Sequence, residues 1–282
     1  MKRKIVRPLF AAVGLFFALS SSVSAAVETA TVTTLNPSGK PVDTSVSADG
    51  RWLFVLTGKG TVDIFETNGT LKDTIKIEGQ ADTIASSPNG DRLFLSSKGE
   101  GTISVIAVDF VQHIETAGAP FKGAENAPVV VAVFTDFQCP YCAKISPLMD
   151  QVLALYPKDV KVAHKNFPLQ SHQFAIPAAI AAFAANRQGK FWEMHDKIFE
   201  NYSNLTEEKF TEFAKNLSLD MDKFAKDSSD PQLRQQVQLD LQNGIKAEVR
   251  GTPTIFVNGR RLNERSLDGI KALIDAELRK IK

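Results

Sequence analysis

Cys139 and Cys142 are the only cysteines in 282 residues, and they stand at the junction of two different patterns. The run before them, Val129 to Phe134, is apolar and β-branched and reads as a buried strand. Beyond them Ile145, Leu148, Met149 and Val152 recur at helical spacing, so a helix begins at Cys139-Pro140-Tyr141-Cys142. Pro140 falls at the first helical position, where a missing N–H breaks no bond. Cys139 then sits at a helix N-terminus, where unpaired N–H groups and the macrodipole favour an anion. The thiolate is the nucleophilic form of cysteine, so the pair points to redox chemistry.

Two thiols at this spacing have other uses. Tetrahedral structural zinc takes four ligands. Only His113, His164, His172 and His195 remain as imidazole donors, and none repeats a tight ligand spacing, so no metal ligand is assigned. Inert core thiols are not normally spaced this way behind a strand. Copper(I) capture by the two thiolates stays open.

The first residues bear on the compartment. Lys2, Arg3, Lys4 and Arg7 precede a short apolar run, Leu9 to Leu19, and Val23-Ser24-Ala25 offers the small residues of a cleavage site. Residues 1–25 therefore read as a signal peptide, and the apolar run is short for a membrane span of roughly 20 residues. Removing them takes four of the 33 basic residues and none of the 32 acidic ones, leaving a mildly acidic chain. That balance does not suggest nucleic acid or an anionic membrane as partner. Disulfides persist outside the cytosol, yet no cysteine is left over for a structural bridge.

Texture divides the rest. Residues 26–114 alternate β-branched and aromatic runs with Gly, Asn and Asp, and 115–127, with Gly118, Pro120 and Gly123, read as a linker. Within the first part, Ser47-Ala48-Asp49-Gly50 leads to Arg51-Trp52-Leu53-Phe54-Val55 and then to Gly60-Thr61-Val62-Asp63-Ile64-Phe65. Forty residues on, Ser87-Pro88-Asn89-Gly90 leads to Asp91-Arg92-Leu93-Phe94-Leu95 and Gly101-Thr102-Ile103-Ser104-Val105-Ile106. Each unit is a turn, a strand, a hairpin turn and a strand. The units resemble blades of bacterial YVTN-like β-propellers, although two cannot close a ring of about four to eight. The other reading is a small self-contained β-sandwich. Either way the region carries no acid pair or histidine cluster and is expected to serve interaction, offering a route to a homo-oligomer that covers its sheet edges.

Residues 128–282 are expected to hold a second strand at Val160–His164. Helices follow at Phe174–Ala185, Phe191–Tyr202, Thr206–Asn216, Met221–Lys226 and Leu233–Lys246. Thr206, followed by Glu207 and Glu208, is a cap with acids in the first turn. Gly251-Thr252-Pro253 then opens a short strand that turns at Asn258-Gly259, and Ser266 caps a last amphipathic helix. An X–Pro bond at such a place can be cis at modest cost.

Cys139-Pro140-Tyr141-Cys142 together with Gly251-Thr252-Pro253 resembles the thioredoxin-fold thiol–disulfide oxidoreductases of the DsbA/DsbC/DsbG group. The resemblance covers about 120–282 and implies an α/β thioredoxin fold with a helical insertion at about 171–247, which the small all-β repeat domain read above precedes. It implies that Cys139 attacks and Cys142 resolves, with the Cys139–Cys142 disulfide as the redox centre and no separate cofactor. Thr252-Pro253 would be a cis-proline loop that binds extended substrate beside the sulfurs. The insert is similar to DsbA and its thioredoxin-4 relatives. Val133, however, stands where many DsbA-like members have a buried acid. The run Val133-Phe134-Thr135-Asp136 is similar to DsbC, and the Pro140-Tyr141 dipeptide to DsbG.

The expected protein is thus a periplasmic or secreted oxidoreductase, exchanging disulfides with cysteine-containing secreted clients and with a membrane redox partner. The isomerase or reductase direction, in which a reduced Cys139 attacks, is favoured over a DsbA-like oxidase, because the Val133–Asp136 run and the Pro140-Tyr141 dipeptide are similar to DsbC and DsbG and no histidine stands between the cysteines. A dithiol copper-binding or scaffold protein is the alternative from another class.

Overall fold

The computed structural model describes residues 29–88 and 90–281, so the expected signal peptide lies outside the described residues. Two compact units divide the chain, Met1–Ala107 and Val108–Lys282.

The first unit contains two antiparallel meanders. One runs in the order β1 (Pro41–Val46), β2 (Trp52–Thr57), β3 (Thr61–Glu66), β4 (Leu71–Lys76), and the other is β5 (Thr83–Ser86), β6 (Arg92–Ser97), β7 (Thr102–Ala107). The repeat is visible in the turns that start each unit. Gly50 N donates to Ser47 O and Gly90 N to Ser87 O, with φ near +70° at both glycines, a region that strains any side chain. The Ser47 and Ser87 hydroxyls each accept from the amide five residues on, at 3.0 Å. A buried carboxylate, Asp63, is satisfied by Ser38 and Thr74, which fastens the segment before β1 to β3.

Propeller blades are not what forms. The sheets have four strands and three, and residues 108–120, which would supply the missing fourth, contain no strand. Gln112 N instead donates to Gly259 O in the second unit. With no strand beyond β7, Ile103 and Val105 remain 68% and 59% exposed.

In the second unit a five-stranded sheet runs β12 (Arg260–Arg261), β11 (Thr254–Val257), β9 (Val129–Thr135), β10 (Val160–Asn166), β8 (Phe121–Gly123). β9 is central, parallel to β10 and antiparallel to β11. Alternation decides its two faces. Val129, Val131 and Val133, with Ile255 and Val257, meet Ile145, Met149 and Val152 of α1 (Pro140–Leu155) and Ile270 and Ile274 of α7 (Leu267–Arg279). Phe134 and Phe256 point the other way, into a cluster with Phe167, Ala247 and Val249. Between β10 and β11 lie α2 (Ala175–Asn186), α3 (Phe191–Glu200), α4 (Glu207–Asn216), α5 (Met221–Ser228) and α6 (Pro231–Lys246). The Thr206 and Ser266 side chains accept from Lys209 N and Gly269 N, capping α4 and α7.

The segment 115–127 holds β8, which was not expected there. Three residues show no period, and the strand exists because Phe121 and Lys122 pair with Ala163 and Val162 of β10. Close approach fixes Gly244 on α6: a Cβ there would lie 2.5 Å from Phe167 Cδ2 and 3.1 Å from Phe134 Cδ1. Gly244→Ala is therefore expected to destabilise the protein by about 1–3 kcal/mol through overpacking. Alanine's helix preference of about 1 kcal/mol opposes this without cancelling it. A lowered urea midpoint at unchanged slope would show the effect, and an unchanged or raised midpoint would refute it.

Candidate active site

Cys139 is the N-cap of α1, with extended backbone (φ −78°, ψ 119°) and Pro140 just inside the helix. No side chain caps this end and no acid sits in its first turn, so its amides are left for the sulfur. Cys142 N and Ala143 N both return to Cys139 O, at 3.0 and 3.2 Å, closing the turn between the cysteines. Both residues are free thiols with little exposure, 4% for Cys139 and 2% for Cys142. Tyr141, between them, is 65% exposed and marks the surface above the pair.

The Thr252–Pro253 bond is cis. Its loop lies against the sulfur, since Cys139 Sγ is 3.4 Å from Thr252 O across 113 residues of sequence. The structure thus brings Cys139, Cys142 and Thr252 together, with Pro140 and Tyr141 between the cysteines and Pro253, next to Thr252, buried.

The two thiols are made unlike. Cys139 is pushed down to about 5, first by a hydrogen bond with the Cys142 side chain, then by Thr252 and by the amides of Cys142 and Tyr141; burial opposes these. Cys142 is driven strongly upward, mostly by burial and further by the hydrogen bond and charge of Cys139. Asp136 N donates weakly to Cys142 Sγ at 3.5 Å. At neutral pH one sulfur is a thiolate and the other keeps its proton.

Several residues that shape this site were not singled out from sequence. Asp136 is buried; its carboxylate accepts from Gln138 N and Leu169 N, both at 2.7 Å, and lies 2.9 Å from His172 Nδ1. It ties the turn before Cys139 to the loop after β10. His164 is buried on β10 with Nε2 3.1 Å from Asn166 Oδ1. Asn166 in turn donates to Asp240 of α6, which pairs with buried Lys165. The signal available in the sequence is three consecutive polar residues, His164, Lys165 and Asn166, at the end of a strand in which Val160, Val162 and Ala163 are apolar.

A thioredoxin description, Thioredoxin_4, matches residues 115–276. The chain belongs to the Thioredoxin_4 family. Among curated proteins, this Thioredoxin_4 chain is 35% identical over 155 residues to the Na(+)/H(+) antiporter NhaA 3 of Salinispora tropica, covering 55% of the chain and 24% of the antiporter. It is 33% identical over 141 residues to the Na(+)/H(+) antiporter NhaA of Herminiimonas arsenicoxydans, covering 50% and 22%. The chain therefore spans about a quarter of the length of these relatives. Among the described residues no helix is long and apolar enough to cross a membrane.

Oxidised BdbD from Bacillus subtilis superposes with a TM-score of 0.55 at 25% identity, over 61% of this chain and 98% of BdbD. The catalytic domain of Proteus mirabilis ScsC gives 0.51 at 22%, over 58% and 91%, and shares the fold. So does the thiol-disulfide exchange protein alpha-DsbA2 from Wolbachia pipientis, at 0.51 and 20%, over 56% and 86%. The Thioredoxin_4 domain has the thioredoxin-like α/β fold.

Proposed function

We propose that this Thioredoxin_4 protein is an exported thiol–disulfide oxidoreductase that exchanges disulfides with cysteine-containing secreted proteins. The observation that carries the reading is the asymmetry of the pair: Cys139 held as a thiolate at a helix N-terminus, Cys142 buried and protonated beside it. Cys139 attacks a client disulfide and forms a mixed disulfide. Cys142 then attacks Cys139 Sγ, releasing the client thiol and leaving the Cys139–Cys142 disulfide. The reverse sequence passes that disulfide to a client. Thr252 and Pro253 supply the loop beside the sulfur against which an extended client strand docks. A membrane redox partner resets the pair.

The Pro140-Tyr141 dipeptide, and the absence of histidine between the cysteines, favour the isomerase or reductase direction. One observation favours the oxidase direction: a thiol held down near 5 stabilises the reduced form, which makes the disulfide the stronger oxidant. Purified full-length protein is expected to accelerate the reduction of insulin by dithiothreitol, followed as turbidity. A rate equal to dithiothreitol alone would overturn the reading in favour of a dithiol binding protein. Thiol trapping in cells separates the directions: a mostly reduced pair marks an isomerase or reductase, and a mostly oxidised pair an oxidase.

A further inference from the structure

Cys142 also forms part of the wall of a small cavity between β9, β10, α1 and α3, about 30 Å³ in volume. That is room for a water molecule. On its strand side Val133, Thr135 and Val162 take no proton at neutral pH and stand beside His164, and His195 lines it from α3. The other charged groups facing it are Lys122 of β8 and Asp150 of α1, which pair with each other at 2.9 Å.

The two histidines are placed differently. His164 Nε2 is taken up by Asn166, and burial holds the ring down to about 3, so it stays neutral. His195, on α3, is 4% exposed, with Nδ1 2.7 Å from Asp196 Oδ1. The Asp196 side chain is 49% exposed. Donation from Nδ1–H to that carboxylate fixes the tautomer and leaves Nε2 as the basic nitrogen. Of the groups around the cavity, His195 therefore has both a free basic position and a partner that reaches solvent.

We propose that His195, through a water in this cavity, is the proton acceptor for Cys142 in the resolving step, with Asp196 as the positioning residue that connects it to solvent. The inference rests on the thiol exchange proposed above. The Cys142 proton passes to His195, and the Cys142 thiolate attacks Cys139 Sγ of the mixed disulfide. The Cys139–client S–S bond breaks, the Cys139–Cys142 bond forms, and the client sulfur leaves as a thiolate that takes a proton from solvent. The cysteine pair loses two electrons and the client disulfide gains them. Once Cys139 is in a mixed disulfide its negative charge is gone. One of the causes that hold the Cys142 proton on is then removed, when the proton must leave. In the opposite direction the same histidine returns the proton to Cys142 as it departs.

The test uses the reduced full chain mixed with dithionitrobenzoate in a stopped-flow instrument. Attack by Cys139 releases the first thionitrobenzoate, and resolution by Cys142 releases the second; the Cys142→Ser variant, giving one phase, assigns them. His195→Gln is expected to leave the first phase unchanged and to slow the second at least about tenfold, the low end of general-base contributions. The pH profile of its second phase should lose the histidine inflection. Burial holds the His195 pKa below its ordinary value and Asp196 opposes that, so Asp196→Asn should slow the second phase less and move its inflection to still lower pH. A second phase with wild-type rate and pH profile in both variants would overturn the proposal. If His195→Gln loses the first phase through misfolding, the inflection in Asp196→Asn decides alone, an unmoved one refuting the relay. If the wild-type protein itself shows no fast first phase below neutral pH, the thiol-exchange reading fails instead.

Discussion

Cys139→Ser is expected to abolish disulfide exchange, with a loss of more than about a thousandfold in insulin reduction, because the hydroxyl that replaces the thiolate is a weak nucleophile at its ordinary pKa. Cys142→Ser should behave differently. Cys139 keeps its helix N-terminus and its place beside the Thr252 loop, so capture of a client proceeds, but nothing inside the protein resolves the mixed disulfide. Clients should accumulate as covalent adducts, visible as high-mass bands on non-reducing gels that collapse with dithiothreitol. Adducts on Cys142 in the Cys139→Ser variant, with none on Cys139 in the Cys142→Ser variant, would reverse the assigned roles. Removing the Cys142 side chain also deletes the largest stabiliser of the Cys139 thiolate, so the Cys139 pKa in Cys142→Ser should rise wherever the serine hydroxyl donates less well.

Alkylation of the reduced wild-type protein by iodoacetamide should follow a single sulfur with a midpoint near pH 5, as against 9.0 for an unperturbed thiol. The sign is that of a depressed acid. Thiolate stabilisation of the folded reduced state is fully present above the unperturbed pKa, and is lost as pH falls through the folded value. The reduced protein is thus stabilised relative to the oxidised one as pH rises from about 5 to about 9, and the difference in thermal midpoint between the two forms should grow over that window. At pH 5.5 labelling of Cys139 should exceed that of a free cysteine by more than about tenfold, after allowance for the lower nucleophilicity of a more acidic thiol. Mapping the label to Cys142, or a midpoint near pH 9, would contradict the geometry. Cys142, raised by burial, should resist labelling until the protein unfolds.

Much of the thioredoxin unit was legible because its signals are local. A β-branched run before Cys139, Pro140 at the helix start, and four residues at helical spacing determine the β9–α1 junction without help from the rest of the chain. The same is true of the caps at Thr206 and Ser266, whose hydroxyls reach amides three residues on. The Ser47 and Ser87 turns were readable for this reason too, each being closed by its own serine.

What the sequence could not determine is everything that depends on a partner far along the chain. Strand number is one case: β8 is a strand only because β10 lies beside it, and the second sheet of the first unit lacks a fourth strand because residues 108–120 form none. The chemistry of the two sulfurs is another. Both are cysteines in one short motif, yet one falls to about 5 and the other rises: the Cys142 side chain first, then Thr252 brought from 113 residues away and the helix amides, favour a thiolate on Cys139, while the core closes over Cys142. Nothing in the order of residues 164–196 announced that His164 and His195 would face Cys142 across one cavity. Sequence fixes which groups a chain owns and how nearby ones are spaced. Desolvation and pairing, which fix their pKa values, are properties of the packed interior and are decided only when distant elements meet.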